Sequence, residues 1–236
     1  MSRWAPDEPV TVMIPVFDRV AMLADAVESV LAQGHPFELV IVDDGSTDGT
    51  SELADRLAAA DDRIRAIHQA NAGPGAARNV GLRAARHRLV ANHDSDDLML
   101  PDRLTRQVAS LRSDPQAGVV LSMAKIEVVA GTTPPAHVLR RYVDVEPTAM
   151  CTMLIDRDRA LEVGGYSEDI RIAEDTELLM RLHDAGYPFV LHPELVTVRR
   201  LHDSNLVATD VAPGDTLLSV LRRRLVRARD ESDATG

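Results

Sequence analysis

Four times between Val10 and Leu111, a short apolar run gives way to a cluster of polar residues and glycines, and then to a stretch with apolar residues at helical spacing. Val10-Thr11-Val12-Met13-Ile14 is nearly continuous in its hydrophobicity and stops at Pro15, which suits a strand buried on both faces. Phe37–Val42, Ile64–His68 and Arg88–Asn92 repeat the pattern. Between them, Val20, Leu23, Val27, Val30 and Leu31 define a helix, with Asp18 as its expected cap and Gly34 beyond its end. Further helices are expected through Leu53 and Leu57, over Ala76–Arg86 and near Asp102–Leu111. This alternation predicts an α/β fold, a single doubly wound, mostly parallel sheet flanked by helices. In such sheets ligands bind beyond the carboxyl ends of the strands. Polar clusters stand at all four of those ends: Pro15–Arg19, Asp43–Asp48, Gln69–Arg78 and Asn92–Asp97.

The remainder predicts a smaller antiparallel region. Gly118–Val129 reads as a strand or hairpin, Gly131–Pro135 as a loop running toward Glu146-Pro147, and Met150–Ile155 as a strand. Glu174–Ala185 reads as a helix with Leu178, Leu179 and Leu182 on one face, and Phe189–Leu191 and Leu195–Val198 as two strands. A last helix is expected over Thr216–Arg229, its run Arg222-Arg223-Arg224 either docking on the acidic body or reaching an acidic membrane surface.

Composition narrows the function classes. Aromatic residues make up 3% of the chain, so its core must be aliphatic. A net charge of −11 argues against nucleic acid as the partner. The one cysteine, Cys151, allows neither an internal disulfide nor a cysteine-type metal motif. No apolar run reaches the roughly 18 residues that a membrane span needs, and Met1–Pro6 does not read as a signal peptide. The expectation is a cytoplasmic protein without a transmembrane segment, with its oligomeric state open.

Asn92-His93-Asp94-Ser95-Asp96-Asp97 places three carboxylates within four positions at a strand end. Such a cluster costs stability unless a cation or hydrogen bonds offset it, and hard oxygen ligands suit Mg²⁺ or Mn²⁺. An acidic turn capping the next helix is the competing explanation. Asp43–Thr50 can make tight turns and cap a helix, while a buried carboxylate there can also accept a nucleobase imide N–H. Asn71–Asn79 opens a helix, where backbone N–H groups and Arg78 attract phosphate, but it is no P-loop. Glu174-Asp175 lies in a first helical turn, and His202, after Thr197-Val198-Arg199-Arg200-Leu201, is either a surface residue or a metal ligand if the chain turns back toward the acids.

In this order, Ile14–Arg19, Val42–Thr50, Asn71–Asn79, Asp94–Asp97, Val163–Tyr166, Glu174-Asp175 and Arg199–His202 resemble the family 2 glycosyltransferases of the GT-A fold. The resemblance spans residues 10 to 205. It implies an inverting glycosyltransferase of the hexosyltransferase type, using Mn²⁺ or Mg²⁺ and a nucleotide-diphosphate sugar. A UDP-sugar is favoured, with dTDP and GDP open. The implied nucleotide-sugar contacts are Pro15, Val16, Asp44, Asn71, Arg78, Asp94 and Ser95, the metal ligands Asp96 and His202, and the general base Asp175. It also implies a division into a nucleotide-sugar-binding half (1–115), an acceptor and catalytic half (116–210) and a basic tail (211–236) with peripheral membrane contact open to it. The family often has Trp after its Glu-Asp pair. Thr176-Glu177-Leu178-Leu179 stands here instead, so the acceptor (small molecule, glycan, lipid-linked or peptide) is not carried over. The alternatives weighed are a sugar-phosphate nucleotidyltransferase, a glycoside hydrolase and a non-catalytic nucleotide-sugar-binding module.

Overall fold

A computed structural model describes residues 3–203 and Asn205, apart from 115, 135, 137, 138, 140–144 and 171; for 145–149 it describes the backbone alone. The basic helix expected over Thr216–Arg229 lies outside the described residues.

The chain runs β1 (Val10–Val16), α1 (Val20–Leu31), β2 (Phe37–Asp43), α2 (Thr50–Ala60), β3 (Ile64–His68), α3 (Pro74–Ala84) and β4 (Leu89–Asn92). It continues through β5 (Leu98–Met99), α4 (Arg103–Ser113), β6 (Val119–Val128), β7 (Val145–Asp156), α5 (Arg157–Glu162), α6 (Glu174–Asp184) and β8 (Phe189–Leu201). The strands form one sheet in the order β3-β2-β1-β4-β7-β6-β8-β5. β3, β2, β1 and β4 are mutually parallel, and β7 joins β4 antiparallel.

The period-2 pattern of the parallel strands assigns each face its helices. Val10, Val12, Ile14, Leu39 and Ile41 pack with Leu23 and Val27 of α1, Ala54 of α2 and Leu104 and Val108 of α4. The alternate residue Met13 and Val90 of β4 pack with Leu82 of α3, Ala160 of α5 and Leu178 and Leu182 of α6. Helix α3 sits especially close to the sheet. A Cβ on Gly81 would lie 2.3 Å from Met13 Sδ.

Several expectations change. β1 does not end at Pro15 but runs through it to Val16. Met13 C=O accepts from His93 N–H on the β4 side, and Pro15, two residues on, faces that same side, where β4 has ended. The proline therefore removes no ladder hydrogen bond. Asp18 does not cap α1. Asp48 Oδ2, from the loop after β2, accepts the Val20 N–H at 3.1 Å, and Thr50 Oγ1 accepts the Arg19 N–H at 2.9 Å. The segments 189–191 and 195–198 belong to one strand, β8, and Leu98-Met99 forms the short β5 paired with it. Helix α5 was not expected.

Candidate active site

The four parallel strands end together, and their ends form one wall of a cleft of about 470 Å³. Its lining includes Pro15, Val16, Asp44, Asn71, Arg78, Asp94, Ser95, Asp96 and Asp175. Ten site residues were expected; nine of them meet in this cleft, and the tenth, His202, sits just behind Asp96.

Asp44, at the tip of β2, is 4% exposed. Its Oδ1 accepts from Gln69 Nε2 (2.7 Å) and the Ala72 N–H (2.8 Å), and its Oδ2 from the Gly73 N–H (2.8 Å). The loop before α3 is thus wrapped around this one carboxylate. The wrapping needs Gly45, whose φ is +76° and whose added Cβ would lie 2.8 Å from Asn71 N. The sequence suggested that the N–H groups at the start of α3 stand open to phosphate. Instead those of Ala72 and Gly73 are committed to Asp44, and Pro74 contributes none.

Arg78 also differs from a free phosphate binder. It is buried on α3, paired with Glu174 and with Asp94 (3.1 Å). It therefore ties the acidic loop after β4 to the first turn of α6. Burial disfavours its charge, but Glu174, Asp94 and Asp175 outweigh that and raise its pKa. Burial in turn pushes Glu174 up to about 7, with Arg78 pulling it down and Asp175 adding to the rise. Beneath, Asn79 accepts the Tyr166 N–H (2.8 Å) and donates to the Tyr166 carbonyl (2.9 Å), while Tyr166 Oη donates to Asn92 Oδ1 (2.9 Å). This network accounts for the Gly-Gly-Tyr signature and for the asparagine that follows Arg78.

The acidic loop separates its carboxylates by environment. Burial pushes Asp96 up, but the hydrogen bond with His202 and the charges of Arg19, His202 and Arg199 prevail and hold it below the usual range. Asp96 Oδ2 lies 3.0 Å from His202 Nε2 and 3.6 Å from Arg19 Nε, and it accepts from Asn205 Nδ2 at 3.4 Å. Asp94 is raised by burial, against the pull of Arg78. Asp97 is raised well above the usual range by burial and by Asp96 and Asp94. Its Oδ1 accepts the Arg200 N–H (2.9 Å), which fastens β8 to the loop and brings Arg199 to the cleft and His202 behind Asp96.

The chemistry of these donors fits a divalent cation. Asp96 is kept anionic, as a ligand must be, and an imidazole nitrogen lies beside it. One imidazole among carboxylates suits Mn²⁺, which tolerates nitrogen, better than Mg²⁺ with its preference for oxygen. The residues lining the cleft include seven carboxylates (Asp18, Asp44, Asp94, Asp96, Asp97, Glu174, Asp175) and three guanidinium groups (Arg19, Arg78, Arg199).

Asp175 is the second residue of α6, two positions after Ala173, whose φ of +72° is strained for a residue with a Cβ. This turn buries Glu174 against Arg78 and leaves Asp175 at the cleft. Asp175 Oδ1 accepts from the Thr176 N–H (2.6 Å) and Thr176 Oγ1 (3.2 Å), leaving Oδ2 without a hydrogen bond among the described residues. The sequence reading assigned no role to Phe17, Arg19, Ile172, Ala173 or Asn205, all of which line the cleft. Phe17, 44% exposed, had a legible signal as an aromatic next to a strand end. Asn205 had none.

Residues 11–168 match the model of Glycosyl transferase family 2. An uncharacterized glycosyltransferase of Rickettsia conorii is 32% identical over 206 residues, covering 82% of this chain and 33% of that protein. The succinoglycan biosynthesis protein ExoO of Rhizobium meliloti is 42% identical over 123 residues, covering 51% of this chain and 34% of that protein. Among such curated relatives the chain spans between 17% and 43% of their length. Among solved structures, S. aureus TarS 1-349 in complex with UDP-GlcNAc superposes with a TM-score of 0.69 at 20% identity, covering 90% of this chain and 64% of that one. The mannosyltransferase PcManGT from Pyrobaculum calidifontis, in complex with GDP-Man and Mn²⁺, superposes with a TM-score of 0.64 at 22% identity, covering 84% and 60%. The fold is of the GT-A type found in both. No helix among the described residues is long and apolar enough to cross a membrane. A family match extending from β1 past β7, over a cleft framed by the ends of the parallel strands, makes this chain a member of glycosyl transferase family 2.

Proposed function

We propose that the chain transfers a sugar from a nucleoside diphosphate sugar to an acceptor hydroxyl, with inversion and with the help of a divalent cation. Residues 1–115 serve the donor, 116–210 the acceptor and the chemistry, and the basic tail 211–236 an attachment role. The observation that carries this reading is the charge of the cleft. Even with Asp94, Asp97 and Glu174 pushed toward their neutral forms, the other four carboxylates face three guanidinium groups and leave no surplus positive charge for a diphosphate, so the donor needs a cation with it.

Asp96 and His202 would hold that cation, with Asp94 alongside. When bound, it offsets the charge that develops on the departing nucleoside diphosphate. Asp94 reaches the donor from a loop braced by Arg78, and Ser95 lies between the two acids at the same wall. Asp175 Oδ2 is the proton acceptor. Its partner oxygen is held by Thr176, which fixes the carboxylate for an incoming hydroxyl. One base and one displacement give inversion without a covalent intermediate.

The nucleobase sits against Pro15, Val16 and Asn71, with exposed Phe17 as a stacking surface and Asp44 beneath. Asp44 supports a pyrimidine. A carboxylate has about four lone-pair positions, and three are filled by Gln69, Ala72 and Gly73. The one left, on Oδ2, matches the single imide N–H of uracil or thymine. Guanine presents two adjacent N–H donors and needs both oxygens. UDP- and dTDP-sugars therefore rank ahead of GDP-sugars.

A thermal-shift panel of UDP, dTDP and GDP with and without Mn²⁺ tests the donor assignment, since ligand binding to the fold raises the melting point by mass action. The expected outcome is a Mn²⁺-dependent shift with UDP; the absence of any nucleotide shift would sink the reading. Asp175→Asn should lower sugar transfer by at least 10²-fold while retaining the UDP shift. Transfer at the wild-type rate would remove Asp175 as the base.

A further inference from the structure

The acidic loop has a second cluster, of which donor chemistry uses only Asp94. Asp94, Asp97 and the Cys151 thiol of β7 each present a ligand atom, and the three atoms lie within 4.8 Å of one another. Asp97 is 1% exposed and Cys151 5%. Asp97 Oδ1 is taken by the Arg200 N–H, and its Oδ2 is buried without a hydrogen-bond partner. A buried carboxylate oxygen left open in this way is an unmet demand for a cation or a donor.

We propose that Asp94, Asp97 and Cys151 form a pocket for a soft divalent cation of the Zn²⁺ or Cd²⁺ class, separate from the donor-side pair Asp96 and His202. The thiol sets the selectivity. Mg²⁺ and Mn²⁺ favour oxygen ligands, whereas Zn²⁺ binds thiolate and carboxylate together, often with three protein ligands and one open position. The pocket is braced in advance. Arg103 donates to the carbonyls of Asn92 (2.7 Å) and Cys151 (3.3 Å), which fixes the strand ends bearing the loop and the thiol. On binding, Cys151 releases its proton to solvent, and Asp97 Oδ2 gains a partner. Asp94 serves both sites, so a cation in this pocket draws Asp94 from the Arg78 brace, 3.1 Å away, and inhibits transfer. The pocket itself needs no assignment of the donor.

The test is a titration of the metal-free full chain with Cd²⁺, following the ultraviolet thiolate-to-cadmium charge-transfer band and the bound metal by equilibrium dialysis. The wild type should bind a Cd²⁺ that gives the band. Cys151→Ser should lose the band and weaken binding tenfold or more. Asp97→Asn should keep the thiol and still weaken binding at least fivefold. Asp96→Asn should leave the band intact. No band in the wild type, equal affinity in Cys151→Ser, or a band abolished by Asp96→Asn would overturn the proposal. Transfer activity need not be measured, so a failure here is distinguishable from a failure of the donor assignment.

Discussion

Asp97→Asn should stabilise the metal-free protein, although it removes a charge from a buried polar cluster. Asp97 is 1% exposed, accepts one backbone N–H from Arg200 and has its second oxygen unpartnered. Its neighbours Asp94 and Asp96 add like charge. Burying an ion so poorly compensated costs several kcal/mol, taken here as about 4. Asparagine keeps an oxygen for the Arg200 N–H, and exchanging a charge-assisted bond for a neutral one costs about 1 kcal/mol. Its buried amide also lacks a partner, costing about 1 kcal/mol more than the oxygen it replaces. The net is a gain of about 2 kcal/mol, worth about 4–8 °C in melting temperature for a chain of this size. Urea denaturation at pH 7 with a chelator, followed by circular dichroism, measures it. The midpoint should rise with an unchanged slope. Asp97→Ala, which strands the Arg200 N–H, should fall below Asp97→Asn. Adding Mn²⁺ should shrink the lead of Asp97→Asn, because a cation among the acids offsets the same charge. A lower midpoint for Asp97→Asn than for the wild type in chelator would refute the reasoning.

His93 is fully buried with both ring nitrogens unpartnered, and burial, aided by Arg103 and Arg200, lowers its pKa to about 3. The unfolded chain therefore takes up this proton first as pH falls below about 6.5. His93→Leu should abolish a loss of about 2 kcal/mol between pH 6.5 and 5, seen as the difference between the two urea-midpoint profiles. Asp44→Asn should release one of three N–H groups from the 69–73 loop, costing about 1–3 kcal/mol of stability. It should also weaken UDP binding about tenfold or more by calorimetry, a loss of about 1.4 kcal/mol. In Gly75→Ala the new Cβ would lie 2.3 Å from the Ser167 carbonyl oxygen, so thermal melts should show about 1–3 kcal/mol of destabilisation as the 166–168 turn is pushed off α3.

The parallel half of the sheet was legible because its signals are local. An apolar run, a glycine- and acid-rich strand end and a 3.6-residue periodicity each lie within one window of sequence. Helix α3 shows where that stops. Its small residues Gly75, Ala76, Ala77 and Gly81 mark a helix packed close to something, but not that Met13 and Ser167 are what it packs against. Arg78 read as a phosphate binder because its location at a helix start is local information. Its actual partner Glu174 is 96 positions away in the chain. Asp18 failed as a cap for the same reason, since Asp48, 28 positions beyond Val20, approaches first.

His202 is the sharpest case. No property of the residue itself distinguishes it from a surface histidine. It reaches Asp96 because Asp97 accepts the Arg200 N–H and β8 then runs along the acidic loop. The acid cluster first seen as a strand-end charge therefore has three different occupations: Asp94 braced by Arg78, Asp96 facing His202, and Asp97 pinning the strand that delivers the histidine. If that division is right, breaking the pin with Asp97→Ala should weaken Mn²⁺ binding through His202 more than Asp97→Asn does, since Asp97→Asn keeps the acceptor and Asp96 is untouched in both. Equal Mn²⁺ affinity in Asp97→Ala and Asp97→Asn would show that β8 holds His202 in place without the acidic loop.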